Sequence, residues 1–196
     1  MGRKNLEKLR TQQLLEAFMQ CIPEYGIDGT TLERVAEKAG VTRSIIRHYI
    51  GNRDVLIEVI LDHVIETSLN DFDQALADPT KNFVDRLSEA LFAPRSDWQI
   101  DKLVINELIN AKERAPEIQK KVTTLLEQMI AKIAQELQNE FPKCDPAAAK
   151  KVAYTLFCIS FSQDSLVWLG IDPSLTGYGP EITKQIIAAW IVMEEK

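Results

Sequence analysis

Residues 30–53, TTLERVAEKAGVTRSIIRHYIGNR, contain two short helices and the turn between them. Thr30-Thr31-Leu32-Glu33 has the form of a capping box, in which the Thr30 hydroxyl and the Glu33 carboxylate reciprocally satisfy backbone N–H groups at a helix start. Leu32, Val35, Ala36 and Ala39 follow at i, i+3, i+4 and i+7, a single apolar stripe. Gly40 then supplies the left-handed residue that ends the helix. Val41 is placed to tuck inward and Thr42 to cap a second helix. Two short helices joined by about three residues have the connection that a helix-turn-helix requires.

The second helix separates its side chains by chemistry. At roughly 100° per residue, Arg43, Ser44, Arg47 and His48 fall within an arc of about 140°, and Ile45, Ile46, Tyr49 and Ile50 take the other side. One face packs while the other offers two guanidiniums, an imidazole and a hydroxyl to solvent. Arginine bonds bidentately to guanine O6 and N7 in the major groove, and threonine, serine and tyrosine hydroxyls suit phosphate oxygens. Thr31 at a helix start sits where N–H groups and the helix dipole favour an anion, and Arg53 opens the next helix near the expected DNA backbone. The candidate DNA contacts are therefore Thr31, Thr42, Arg43, Ser44, Arg47, His48, Tyr49 and Arg53. Pairs of short helices joined by glycine turns also occur in all-α proteins that never touch DNA, and that alternative, a helical protein-interaction module, stays open at this point.

The net charge of −6 conceals an uneven distribution. Residues 1–60 hold nine Lys/Arg and eight Asp/Glu, so the acidity belongs to the rest of the chain. Val41 to Arg53 contains three arginines and no carboxylate, and Arg3, Lys4, Lys8 and Arg10 face only Glu7 at the start. Such local basic patches can meet phosphate without a basic whole.

The stretch from Leu14 to Leu56 resembles the DNA-binding domain of tetracycline-repressor (TetR) family regulators. The resemblance rests on Gly29-Thr30-Thr31, Val35-Ala36, Ala39-Gly40-Val41, His48-Tyr49 and the Gly51-Asn52-Arg53-Asp54-Val55-Leu56 segment. Arg47, Ile50 and Arg53 depart from it, standing where tyrosine, phenylalanine and lysine are usual; Arg47 bears on the operator sequence. The resemblance implies a dimeric repressor released from operator DNA by a small molecule.

Outside this stretch the apolar residues recur with helical spacing. Punctuation at Tyr25-Gly26, Gly40, Gly51-Asn52, Asp78-Pro79, Pro94, Ala115-Pro116, Phe141-Pro142, Asp145-Pro146, Gly170 and Gly177 to Pro180 leaves about nine helices. The expected fold is all-α, with a three-helix DNA-binding domain over 1–52 and a ligand-binding and dimerisation domain over 53–196. The first helix is expected from about Leu6 to Tyr25, its end made irregular by Pro23. A long helix from Arg53 to about Leu76 links the two domains, with His63 on its apolar stripe as a satisfied core histidine rather than a metal ligand.

Segments 146–169 and 180–194 are apolar on more than one side, and the resemblance assigns them to a four-helix homodimer interface with two-fold symmetry. For the effector, Tyr154, Phe157, Phe161 and Trp168 lie near one stripe, and Glu107 falls at helical spacing with Ile100, Leu103 and Val104. A buried carboxylate facing aromatics suits a cationic, apolar ligand; core packing of the aromatics and an ion pair for Glu107 are the alternatives.

The three cysteines, Cys21, Cys144 and Cys158, are far apart and form no CxxC pair. The most apolar run, Val152 to Phe161, falls far short of the roughly 20 residues a membrane span needs, and the N-terminus carries no signal-like stretch. The chain is expected in the cytoplasm, with no membrane association. No Ser-His-Asp ordering, phosphate loop, metal cluster or glycine fingerprint occurs, so neither an enzyme nor a metal or cofactor is expected.

Overall fold

The computed structural model describes residues 3–92, 107, 116–172, 174 and 177–194. Among these there are eight helices and no strand. They are α1 (Arg3–Gly29), α2 (Leu32–Ala39), α3 (Arg43–Tyr49), α4 (Arg53–Leu76), α5 (Phe83–Phe92), α6 (Pro116–Glu140), α7 (Pro146–Trp168) and α8 (Gly179–Glu194). The chain divides into two compact units, Met1–Thr67 with Arg95–Thr123 and Ser68–Pro94 with Thr124–Lys196. Residues 1–52 lie wholly within the first unit.

In the first unit the apolar stripes of α1 to α4 converge. Leu14, Phe18, Val35, Ile46 and Leu56 are fully removed from solvent, and Cys21, Ile22 and Ile60 nearly so. Burying side chains of this size contributes about 1.5–3 kcal/mol each, which is what holds helices as short as α2 and α3 in place. Alone, helices of this length are marginal in water.

Helix α1 runs further than its sequence suggested. Pro23 lies inside it, and the interruption comes at Gly26, with φ 66° and ψ 171°. That combination is essentially restricted to glycine. The chain turns there, and the last residues of α1 approach α2.

The second unit has its own core. Phe72, Leu87, Ile133, Leu137, Ala153 and Leu156 are fully buried in it, with Ile187 and Trp190 from α8. Phe141 sits edge-on to both Phe83 and Trp190, at centroid distances of 5.9 and 5.8 Å. Asp145 caps α7, its carboxylate accepting from the backbone N–H groups of Ala147 and Ala148.

Candidate nucleic-acid interface

Helix α2 begins one residue later than a capping box on Thr30 requires. Thr31 is the N-cap, in extended conformation, and its hydroxyl accepts from the Arg34 backbone N–H at 3.4 Å. Thr30 is completely buried and its hydroxyl donates to the Gly26 carbonyl at 2.7 Å. The two threonines therefore have different tasks: Thr30 ties the end of α1 to the loop, and Thr31 starts the helix. At the other end of α2, Gly40 is left-handed with φ 64°, and its N–H and that of Val41 bond back to the last turn. This closes the turn to α3 in the manner of a helix C-cap.

Thr42 is the N-cap of α3, but its hydroxyl makes no cap bond; it lies 2.8 Å from the Ser44 hydroxyl. Ile46 is the residue that anchors α3, fully buried against α1 and α2. Around it the faces separate: Thr42, Arg43, Ser44, Arg47 and His48 are exposed, and Ile45, Tyr49 and Ile50 are half-buried. The rings of His48 and Tyr49 meet edge-on at 5.0 Å.

Two of the candidate contacts carry partners that sequence spacing did not reveal. The Arg43 Nη1 is 2.6 Å from the Glu33 Oε1 across the turn between α2 and α3. The Glu33 carboxyl is held below its ordinary value, first by its own backbone N–H, and also by the Arg43 charge, the Thr31 hydroxyl and the Arg47 charge. Arg53, half-buried at the start of α4, donates from Nε to the Thr30 carbonyl at 3.2 Å and from Nη2 to the Ile27 carbonyl. It also lies 3.8 Å from the Asp28 carboxylate. Arg34 makes a further clamp, its guanidinium 4.1 Å above the Tyr25 ring and bonded to the Gly29 carbonyl.

Of the candidate effector residues, Glu107 belongs to the first unit and Tyr154, Phe157 and Phe161 to the second. The Glu107 Oε2 accepts from the Ile27 backbone N–H at 3.4 Å, beside the Gly26 break. Tyr154 is exposed, and its hydroxyl is pushed above its ordinary value by Cys158. Phe157 and Phe161 stack at 5.9 Å, with Phe157 packed on the second core. The side chain of Trp168 lies outside the described residues. His63 is exposed rather than in the core, and lines an open groove of about 530 Å³ with Glu7, Thr11, Gln12 and Leu15. In the first half of α4, Leu56, Ile57, Ile60, Leu61 and Val64 are buried, while Asp62 and His63 face out.

Residues 14–60 match the family model described as bacterial regulatory proteins, tetR family. Over 65 residues the chain is 37% identical to the HTH-type transcriptional regulator BetI of Burkholderia thailandensis, a match covering 33% of either chain. The BetI protein of Burkholderia cenocepacia is equally similar, with 34% of its length covered. The matched stretch thus spans about a third of these curated relatives. In fold the likeness covers almost the whole chain. A TetR transcription regulator from Haloarcula marismortui superposes with a TM-score of 0.78 at 13% identity, over 93% of this chain and 98% of that one. The multidrug binding protein EbrR, complexed with imidazole, superposes with a TM-score of 0.58 at 20% identity, over 90% and 94%.

Proposed function

We propose, from the premise that residues 14–60 carry the domain of the tetR family of bacterial regulatory proteins, that this chain is a cytoplasmic, dimeric, sequence-specific DNA-binding regulator. The observation that carries the reading is the division of α3. Ile46 is wholly buried, while Arg43, Ser44, Arg47 and His48 stand exposed on the opposite side of a two-turn helix. A helix anchored in this way enters the major groove with its first residues at base edges. Arg43 and Arg47 would read bases, and Thr31, Thr42, Ser44, His48 and Tyr49 would meet phosphate and sugar. Arg53 would act mainly by fixing α4 against the end of α1.

The regulator acts as a repressor released by a small-molecule effector. The stacked Phe157–Phe161 pair of α7 supplies an apolar wall for such a ligand, with Trp168 further along the helix and Tyr154 and Glu107 as secondary candidates. The pairing surface is assigned to α7 and α8, where Tyr154, Leu166, Val192 and Met193 are exposed. No helix of the described residues is long and apolar enough to cross a membrane.

Selection of bound duplexes from a random pool, followed by gel shifts of the selected site across a salt series, tests the reading. The wild-type chain should bind with a log K that falls linearly with log salt. Arg43→Ala should weaken the selected site by about 5- to 100-fold, the worth of one bidentate base contact. Equal binding by Arg43→Ala and wild type would remove α3 as the reader and favour a helical protein-interaction module.

A further inference from the structure

We propose that Glu33 is a positioning residue for base recognition, acting through Arg43: it holds one edge of the guanidinium from α2 so that the other edge is aimed for bidentate contact. The inference rests on the DNA-binding reading above and adds to it the residue that sets the reader's accuracy.

Glu33 and Arg43 are on different helices, joined only by the Gly40-Val41-Thr42 turn, and their 2.6 Å contact crosses that turn. The carboxylate is itself fixed. It lies in the first turn of α2, where its own backbone N–H, the Arg43 charge and the Thr31 hydroxyl hold the carboxyl below its ordinary value. Thr31 is in turn the N-cap, accepting from the Arg34 N–H. The first turn of α2 and the first residue of α3 are therefore tied through Glu33.

The remaining geometry suits a buttress. Arg43 is half-exposed, at 50%, and one contact on Nη1 leaves most of its five N–H donors unused. A free arginine loses rotamer entropy when it is immobilised on DNA. An arginine already held by a carboxylate has given up part of that freedom beforehand. Phosphate contacts repeat along the backbone and carry no sequence information, whereas a guanine O6/N7 edge accepts one planar approach. Pre-orientation therefore favours the base contact over the phosphate contact. The negative charge of Glu33 acts in the same direction, since it opposes loose approach to the phosphate backbone. It also lies within the field of Arg47, so both candidate base readers of α3 are under its influence.

A latch, in which Glu33 must release Arg43 before DNA can bind, makes the opposite prediction. Removing a latch raises affinity for the selected site; removing a buttress lowers selectivity for it. The test uses full-length wild type, Glu33→Gln, Arg43→Ala and the double variant. Each is measured against the duplex selected from the random pool and against a shuffled duplex of the same length and composition, at one salt concentration. Glu33 is more than half exposed, so Glu33→Gln should fold, which circular dichroism checks.

For Glu33→Gln we expect the ratio of selected to shuffled affinity to fall about 3- to 10-fold, with base preference relaxed at the position that Arg43 reads. In the Arg43→Ala background the same substitution should lower that ratio markedly less, because the guanidinium that Glu33 holds is gone. An unchanged or raised ratio in Glu33→Gln overturns the buttress, as does an equal fall in both backgrounds. Failure of the wild-type chain to prefer its selected duplex has a different signature, and sinks the DNA-binding reading with the buttress on it.

Discussion

Arg53 reaches back from the first turn of α4 and donates from Nε to the Thr30 carbonyl, 3.2 Å away, across 23 residues of chain. Its Nη2 takes the Ile27 carbonyl as well. The carbonyls at the broken end of α1 have lost their helical partners, and Arg53 satisfies two of them with one planar fork. The start of α4 and the end of α1 are thereby fixed around α2.

Arg53→Ala should therefore destabilise the protein by about 1–3 kcal/mol, the range for losing charge-assisted bonds to partly buried acceptors. Arg53→Lys should recover only part of this, since an ammonium cannot serve both carbonyls in the same plane. Urea unfolding with an unchanged denaturant slope would confirm a native-state effect. A loss confined to DNA affinity, with stability intact, would count against the staple.

Two glycines with positive φ offer a contrast. At Gly26 the backbone lies at φ 66°, ψ 171°, and an added Cβ would come within 3.3 Å of the Glu107 carboxylate. At Gly40 the backbone is ordinary left-handed helix, φ 64°, ψ 34°, with nothing within 4 Å of an added Cβ. Gly40→Ala should cost about 1 kcal/mol, a backbone effect alone. Gly26→Ala should cost more, about 2–3 kcal/mol, because its region is closed to other residues. Thermal unfolding of the two variants side by side decides the order.

The residues that periodicity places were legible in the sequence, and those that depend on an angle between helices were not. Leu32, Val35, Ala36 and Ile46 were assigned inward by spacing alone, and all four are buried. Thr30 and Thr31 are chemically identical in a sequence. Which one caps α2 depends on where α1 breaks, and that break places the Gly26 carbonyl over the Thr30 hydroxyl. Glu33 and Arg43 are ten residues apart, a separation with no meaning on one helix, and they meet because Gly40 turns α3 back against α2. Arg53 reads in sequence as a DNA-backbone contact beside a glycine turn, since nothing local announces the carbonyls 23 and 26 residues earlier that it meets. His63 shows the reverse error: it sits among apolar residues in sequence, yet α4 buries Leu56, Ile57, Ile60, Leu61 and Val64 and leaves His63 exposed.

Acid should act on the second unit through half-buried carboxylates. Asp85 is held below its ordinary 3.8, first by the hydrogen bond from Lys184, 2.6 Å away on α8. Asp78 is lowered first by the Thr80 hydroxyl and then by the Thr80 backbone N–H. A carboxyl with a depressed folded-state pKa adds stability above its unfolded value, and that contribution is lost as pH falls through the folded value. Unfolding midpoints should thus be indifferent to these two groups from about pH 5 to 8 and fall below about pH 4. Carboxyl NMR titration should place both midpoints under 3.8, and Lys184→Met should move the Asp85 midpoint upward while leaving Asp78 in place. A titration of Asp85 unaffected by Lys184→Met would refute the assigned cause.

Pairing through α7 and α8 makes a prediction about charge placed on an apolar surface. Val192 and Met193 are 55% and 73% exposed near the end of α8, and Leu166 is 39% exposed on α7. In a two-fold interface each substitution is repeated, so one carboxylate per chain puts two into the same contact. Val192→Glu should therefore weaken the dimer at least about tenfold, since even one unpaired polar group left in an interface costs on the order of 1–3 kcal/mol. Leu6, 55% exposed on α1, is the control: it is as exposed as Val192 but lies on neither pairing helix. Leu6→Glu should leave the sedimentation profile of the wild type unchanged, while Val192→Glu shifts it toward the monomer as concentration falls. DNA affinity at low protein concentration should then drop for Val192→Glu alone, because a half-site gripped by one reader loses the second reader's contribution to binding. A wild-type chain that sediments as a monomer throughout the micromolar range would leave the apolar ends of α7 and α8 to some other partner.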